Sequence, residues 1–247
     1  MVEWTGSGVI LSVRKHGETS AIIDVFTEEK GRHAGLVRGG VSRKWAPILQ
    51  PGAQVGVSWR ARLEEHLGSY QVEPLKSRAT ILNDRLGLAA LNSATSLISF
   101  AFPERMALPG LYDATQELFD RIAAQEPWLI HYAEWEMQVL DDLGYGLDLS
   151  ECAASGSDQE LVYVSPKSGR AVSREGAGEY ADRLLGLPPF LLGGALSGLD
   201  DIHAALHLSG HFLNLWLAPA LGKAELPAAR GRLLSLLHGL KSEAILN

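Results

Sequence analysis

The sequence predicts an α+β fold, in which an amino-terminal β-barrel of the OB type is followed by an all-helical domain with a short irregular insert. Three observations lead to this prediction. Apolar and polar residues alternate over the first 75 positions, the periodicity becomes helical after Pro74, and residues 148–180 are rich in Ser and Gly. We therefore expect a barrel domain at 1–78 and a helical domain at 79–247 that contains the insert at 148–180.

Period-two alternation marks half-buried strands in the barrel domain. The apolar positions of three runs are Val9, Leu11 and Val13; Ala21, Ile23 and Val25; and Val55, Val57, Trp59 and Ala61. Turn residues separate the runs at 16–18, 28–31, 39–40, 50–52 and 67–69. About five short strands suit a small closed barrel, because closure leaves no sheet edge exposed.

Five helices are predicted after Pro74 from apolar periodicity and from capping residues. They lie at about 84–100, 110–124, 127–143, 199–217 and 227–240. Asn83 or Asp84 can cap the first helix. Pro127 suits the first position of the third helix, and Gly144 ends it.

The cysteine count and the apolar runs bear on the compartment. A single cysteine, Cys152, excludes an intramolecular disulfide and is typical of a reducing compartment. The amino terminus has no basic segment leading into an apolar run, so we expect no signal peptide. No apolar run reaches the roughly 18–20 residues that a membrane span requires. We therefore expect a cytoplasmic protein, associated with the nucleoid if it binds DNA.

The distribution of charge is the strongest functional signal. The chain has a net charge of −7, yet residues 1–80 hold 11 Lys and Arg against 8 Asp and Glu. Between Lys30 and Leu63 there is no acidic residue. An acidic protein with one basic region has a surface suited to a polyanion, and nucleic acid is the leading candidate. The alternative is a solvated loop whose acidic partners come from elsewhere in the fold.

Strand geometry gives this basic region a shape. If Trp59 and its apolar neighbours face the barrel interior, Arg60 and Arg62 point outward together. Trp45 can be either a stacking platform for a base or a core residue, whereas the phase of Trp59 favours the core. We predict DNA contacts from Arg14, Lys15, Lys30, Arg32, Arg38, Arg43, Lys44, Trp45, Arg60 and Arg62.

Four segments in order resemble the family of bacterial recombination mediators called RecO. They are Gly8 to Ser20, Phe26-Thr27-Glu28-Glu29-Lys30-Gly31-Arg32, Val37-Arg38-Gly39-Gly40 and Leu49-Gln50-Pro51-Gly52. Each match is short, but their order and spacing together are specific, and the resemblance continues through the helices.

The resemblance implies an OB-fold, a helical domain and a zinc-finger-like insert. It also implies recombinational repair of gapped or broken DNA, with binding of single and double strands and annealing of complementary strands. Proteins similar to this one act with RecR to load RecA onto DNA covered by single-strand binding protein, whose acidic carboxy-terminal tail they recognise. This scheme has no chemical step, so we expect no enzymatic activity and no cofactor.

The insert departs from the family pattern, which often has two Cys-x-x-Cys pairs. Here the first pair is Cys152-Ala153-Ala154-Ser155, and Ser173 stands near the second where a cysteine is expected. Serine is a poor ligand for tetrahedral zinc. We therefore predict an insert that holds its fold without metal, through a strand at 161–164 that packs on the helices.

Two other function classes remain open from the sequence. The chain lacks Walker A, Gly-x-Gly-x-x-Gly and Gly-x-Ser-x-Gly motifs, and Ser12-Val13-Arg14-Lys15 matches Ser-x-x-Lys by accident. His203, His207 and His211 share a helix face, and a pair such as His203 and His207 could serve a metal-dependent hydrolase.

The third possibility is a protein-interaction adaptor that works through its apolar and acidic helical half. A groove near Phe100, Phe102 or residues 190–192 could then receive the tail of single-strand binding protein.

Overall fold

The structure is a computed structural model that describes residues 1–240. The last seven positions of the predicted helical domain, 241–247, lie outside the described residues. The predicted α+β class is confirmed, with an amino-terminal barrel of the OB type followed by helices.

Five strands close the barrel in the order β1-β2-β3-β5-β4. They are β1 (Val2–His16), β2 (Ser20–Thr27), β3 (Gly31–Val37), β4 (Gln54–Ala61) and β5 (Ser69–Lys76). Neighbouring strands are antiparallel except for β3 and β5, which run parallel where Leu36 pairs with Ser69. The long strand β1 pairs with β4 through its first half and with β2 through its second half, which closes the sheet.

The interior of the barrel follows the predicted alternation on β2 and β4 but not on β1. Ile23, Val55 and Trp59 are fully buried in the barrel core. On β1 the core residue is Ile10, and Val13 packs against the same core. A bulge between Ile10 and Ser12 changes the phase of the strand, so of the alternating set Val9, Leu11 and Val13 only Val13 packs against the barrel core.

The outer faces of β1 and β2 are also buried, which the alternating pattern does not predict. Val9 and Phe26 are inaccessible although they point away from the barrel core. The first two helices, α1 (Arg85–Ala101) and α2 (Pro109–Ala124), contact β1 and β2 respectively. Around Val9 and Phe26 these two strands are therefore apolar on both sides, whereas the last third of β1 is largely exposed.

The remaining helices are α3 (Leu129–Asp142), α4 (Arg174–Ala177), α5 (Leu199–Phe212), α6 (Ala218–Ala220) and α7 (Ala228–His238). Asp84 caps α1, and its carboxylate accepts a hydrogen bond from Leu86 N at 3.0 Å. The third helix begins two residues after Pro127. The helix predicted at 199–217 is α-helical only to Phe212, and a π-helical turn, Leu213–Leu217, follows.

The insert holds more regular structure than the one predicted strand. Its predicted strand is β6 (Leu161–Val164), which lies between β7 (Ala171–Ser173) and β8 (Leu185–Gly186) in a small sheet. Short 3₁₀ turns occur at Ala79–Asn83, Gly178–Arg183 and Pro189–Leu192.

The chain divides into two compact units. The first contains Met1–Glu126 and Pro227–Leu233, and the second contains Pro127–Leu226 and continues from Leu234. The barrel and the helices α1 and α2 therefore belong to one unit, while the domain boundary at residue 78 stays a prediction. Over residues 1–240, we find no helix with the length and apolar character needed to cross a bilayer.

Candidate nucleic-acid interface

Three connections meet at one end of the barrel. They are the β1–β2 turn (17–19), the start of the β3–β4 loop (38–53) and the β4–β5 loop (62–68). Val41 N donates a hydrogen bond to the Thr19 carbonyl at 3.2 Å, which ties the first connection to the second. Leu36 N donates to the Gly68 carbonyl at 3.1 Å, which ties the end of β3 to the third. Cationic side chains on these segments therefore share one end of the barrel.

We call this the basic end, defined by Lys15, Arg38, Arg43, Lys44, Arg60 and Arg62. All six residues are exposed. Within residues 1–240, only Arg60 of this set forms an ion pair with a carboxylate. The other five charges are available to an external anion. Three acidic residues, Glu18, Glu64 and Glu65, lie exposed on the same connections, so the positive field is not uniform.

Arg60 is paired only at the surface. Its Nη2 lies 2.9 Å from Glu3 Oε1, and both side chains are about half exposed. Exposed pairs of this kind contribute about 0–1 kcal/mol, so a phosphate can compete with Glu3 for the guanidinium. Arg14 is exposed as well, one residue before Lys15 on the outer face of β1.

Trp45 serves the barrel core at least in part. It is half-buried and packs against the core cluster, together with Ile48 and Leu49 from the same loop. Hydrogen bonds from Ile48 N and Leu49 N to the Trp45 carbonyl form a helical turn there. Lys44 Nζ lies 5.8 Å from the centroid of the indole ring, so the accessible side of Trp45 is next to a cation. Trp59 is fully buried, which confirms the prediction that it is a core residue.

Two of the predicted DNA contacts lie away from the basic end. Lys30 is in the β2–β3 turn beside Glu28 and Glu29, and its backbone N donates to Thr27 Oγ1 at 3.1 Å. The Arg32 side chain is largely buried. Its guanidinium binds Asp24 and donates hydrogen bonds to two carbonyls at the end of α1. The DNA contact at Arg32 stays a prediction, but its guanidinium, unlike those of the basic end, is already satisfied by a carboxylate from elsewhere in the barrel.

The three histidines of α5 have three different environments. The His203 ring stacks on His238 with centroids 4.7 Å apart, and His211 Nε2 lies 2.9 Å from the Pro166 carbonyl oxygen. His207 is exposed. In the described part of the chain, no group of three or more His, Cys, Asp or Glu side chains is placed to hold a metal ion. The three imidazoles do not form a common site.

The insert brings four positions with Cys-x-x-Cys spacing together. Ser173 N and Ser173 Oγ donate to Cys152 Sγ at 3.2 and 3.3 Å. A Cβ placed on Gly176 would lie 2.7 Å from the same sulfur. Hydrogen bonds from the Ser155 and Ser173 side chains lower the pKa of Cys152 to about 6.

These four residues do not fit zinc. They supply one thiol and two hydroxyls, and Gly176 has no side chain, whereas structural zinc sites use cysteine and histidine. Hydrogen bonds from Ser155 and Ser173 to the Cys152 sulfur, and from Gly176 N to Ser173 Oγ at 3.0 Å, join these positions in place of metal bonds. Sequence reasoning missed Gly176, although its spacing from Ser173 equals that of Ser155 from Cys152.

The segments considered for a partner tail differ in accessibility. Phe102 and Phe190 are buried, at 2% and 6% exposure. Phe100 is half-exposed and lines a groove of about 670 Å³ between the outer face of β1 and β2 and helix α1. Arg14 lines the same groove.

Comparisons with known proteins match nearly the whole chain to one family. The family model described as "Recombination protein O N terminal" matches residues 1–78, and "Recombination protein O C terminal" matches residues 82–228. Two of the most similar relatives are both named DNA repair protein RecO. The protein of Ruegeria sp. (strain TM1040) is 54% identical over 237 residues, covering 96% of this chain and 98% of its own. The protein of Dinoroseobacter shibae is 52% identical over 238 residues, covering 96% and 98%.

Proposed function

The chain belongs to the RecO family of DNA repair proteins, and we propose on that premise that the basic end of its barrel binds DNA through the phosphate backbone. Membership of the family gives the protein a role in DNA repair and recombination. The observation that carries the proposal is the set of five exposed cations without an ion pair among residues 1–240: Lys15, Arg38, Arg43, Lys44 and Arg62.

Flexible lysine and arginine side chains at the end of the barrel favour binding of DNA without recognition of its base sequence. Lysine and arginine side chains neutralise phosphates, and phosphate contacts carry no base information. Neutralising two complementary strands on one surface removes the repulsion between them and leaves their base edges free to pair. We therefore propose a non-enzymatic role that includes strand annealing, and the lack of nucleotide-binding and nucleophile motifs supports it.

The partners follow from the family resemblance. We propose that the protein acts with RecR to load RecA onto single-stranded DNA covered by single-strand binding protein.

The groove at Phe100 is our candidate for the aromatic end of that protein's tail, because Phe100 is accessible there and Arg14 offers a charge for a carboxylate. A pull-down with the tail peptide, with and without its last residues, checks this. Capture that survives deletion of those residues would count against the groove.

The test of the DNA-binding surface is a fluorescence titration of labelled single-stranded DNA at several salt concentrations. We expect log Kd to depend steeply on log salt, with a slope of about 0.7 for each phosphate contact. Arg38→Glu with Arg43→Glu should lower the slope by about 1.4. The matched control is Arg85→Glu with Arg105→Glu, which reverses two exposed charges of the same compact unit that lie outside the basic end. A wild-type slope near zero, or equal effects of both variants, would remove the proposed surface.

A further inference from the structure

The basic end also exposes aliphatic side chains. Leu63 and Leu67, both in the β4–β5 loop, are 47% and 40% exposed. Val41 follows Arg38 in the neighbouring loop and is 42% exposed. Exposed aliphatic side chains among unpaired cations suit a ligand that is both anionic and apolar. A single exposed leucine is common on protein surfaces, whereas several on neighbouring loops indicate a contact surface.

The β4–β5 loop is held in a fixed shape. Trp59 Nε1 donates to the Leu67 carbonyl at 2.9 Å, and His66 N donates to the Leu63 carbonyl at 3.2 Å. Gly68 has a φ of +62°, and a Cβ there would lie 2.4 Å from Trp59 Nε1, so only glycine fits against the buried indole. The two leucines are therefore presented to solvent by an ordered backbone, which lowers the entropy cost of using them in binding.

The charges of the two loops indicate where the phosphates and the bases of a bound DNA strand would lie. Arg62 begins this loop, but Glu64 and Glu65 lie between the two leucines and are exposed, so phosphates are repelled from residues 63–67. The cations that attract phosphates, Arg38, Arg43 and Lys44, lie on the adjacent loop. A strand whose backbone follows the cations would turn its bases toward the leucines.

We propose that Leu63 and Leu67 pack against unstacked bases of single-stranded DNA whose phosphates are bound by the cations of the basic end. This inference rests on the proposed DNA-binding function and names the form of DNA the surface prefers. Apolar side chains gain by contact with base faces, and base faces are accessible in a single strand but stacked in a duplex. The surface should therefore favour single strands over duplexes of equal length.

The test compares Leu63→Ser with Leu67→Ser in one variant against a control with Leu75→Ser and Leu82→Ser. The control residues are exposed by 57% and 47% on the same compact unit but lie outside the basic end. Each protein is titrated with a normal single strand and with an abasic strand of equal length. We expect the loop variant to bind the normal strand about tenfold more weakly, with unchanged affinity for the abasic strand and an unchanged salt slope.

Each outcome bears on the inference separately from the proposed function. Wild-type protein that shows no salt-dependent DNA binding would end the proposed function itself. Salt-dependent binding with equal losses on normal and abasic strands, or with no loss in the loop variant, would overturn the leucine contact alone. Loss of binding to anionic phospholipid vesicles in the loop variant, with DNA binding intact, would assign the leucines to a membrane surface and also overturn it.

Discussion

Arg32 and Asp24 form an ion pair on the outer face of the barrel, with Nε and Nη2 of the arginine 3.0 and 2.8 Å from one carboxylate oxygen. The side chains are only 15% and 11% exposed. Burial raises the pKa of Asp24, and the Arg32 charge opposes that rise. Arg32 Nη1 also donates at 2.7 Å to the carbonyls of Ser99 and Phe102, which lie at the carboxy-terminal end of α1. One guanidinium thus joins β2 and β3 to two carbonyls that lie at the helix end, where the helix itself supplies no donor.

Replacing Arg32 should cost stability and leave DNA contacts intact. Arg32→Ala strands the Asp24 carboxylate in a buried site, and we expect the free energy of unfolding to fall by about 3–5 kcal/mol. Arg62→Ala, on an exposed residue without an ion pair among the described residues, should change it by no more than about 0.5 kcal/mol. Urea unfolding of both variants gives the two values. A stable Arg32→Ala protein with a reduced salt slope for DNA would restore Arg32 to the binding surface.

Acid should weaken the barrel through His33. Burial lowers the pKa of His33, and the nearby charge of Arg105 lowers it further. The ring packs edge-on to Trp59 at 4.7 Å and to Trp4 at 5.1 Å between centroids. An unfolded histidine takes up a proton near pH 6.5, whereas the folded one resists until a lower pH. Protonation of His33 therefore does not affect stability above about pH 6.5, and stability is lost as the pH falls below that value.

Urea unfolding at about pH 7.5 and about pH 5, on either side of the ordinary histidine pKa of roughly 6.5, checks the His33 prediction. His33→Phe should show a smaller loss of stability across this range than the unaltered protein. His16→Gln, at an exposed position, is the control and should keep the full loss. Parallel pH profiles for the unaltered protein and His33→Phe would contradict the role given to this ring.

The sequence predicts the barrel interior better than its surroundings because alternation reports only which side chains share a face. Arg32 and Arg60 look alike in the sequence, since both are cations on strands of the same barrel. The difference is a long-range one: Asp24 and the end of α1 surround Arg32, whereas Arg60 faces solvent beside Glu3. Their roles depend on which helix covers which strand, and a local pattern does not contain that information.

The insert shows a similar limit. The strand β6 has four apolar residues in a row and is evident from the sequence, while β7 and β8 are only 3 and 2 residues long. Segments this short form strands because a neighbour completes their hydrogen bonds. The close approach of Gly176 to the Cys152 sulfur likewise joins residues far apart in the sequence. The bulge in β1 and the π-helical turn after α5 likewise add residues that periodicity does not reveal.

Restoring the missing ligands should create a zinc site in the insert. We expect the natural protein to carry far less than one zinc per chain after purification, because its four positions provide a single thiol. Changing Ser155, Ser173 and Gly176 together to cysteine completes a four-thiolate set with Cys152 and should bring the content to about one zinc. Elemental analysis of both proteins measures this. The same triple change made with alanine is the control, and equimolar zinc in the natural protein would contradict the prediction.

Arg78 should be a cation of the first unit that lysine does not replace. Its side chain is 1% exposed, and its three nitrogens donate to the Gly52 carbonyl, Asp120 and Gln116 at 2.7 to 2.8 Å. Burial alone would raise the pKa of Asp120, but hydrogen bonds from Arg78 and Lys76 lower it. The planar fork that reaches three acceptors is specific to arginine.

Arg78→Lys should therefore fail to replace the arginine, although it keeps the charge. We expect it to lower the free energy of unfolding by about 2–4 kcal/mol, since a lysine leaves buried acceptors on the loop or on α2 unsatisfied. Lys76→Ala removes the exposed partner of the same carboxylate and should cost at most about 1 kcal/mol. Urea unfolding at neutral pH compares the two variants. Equal losses would mean that Asp120 is stabilised by charge alone and that the geometry of the Arg78 fork contributes nothing to the joint between the barrel and α2.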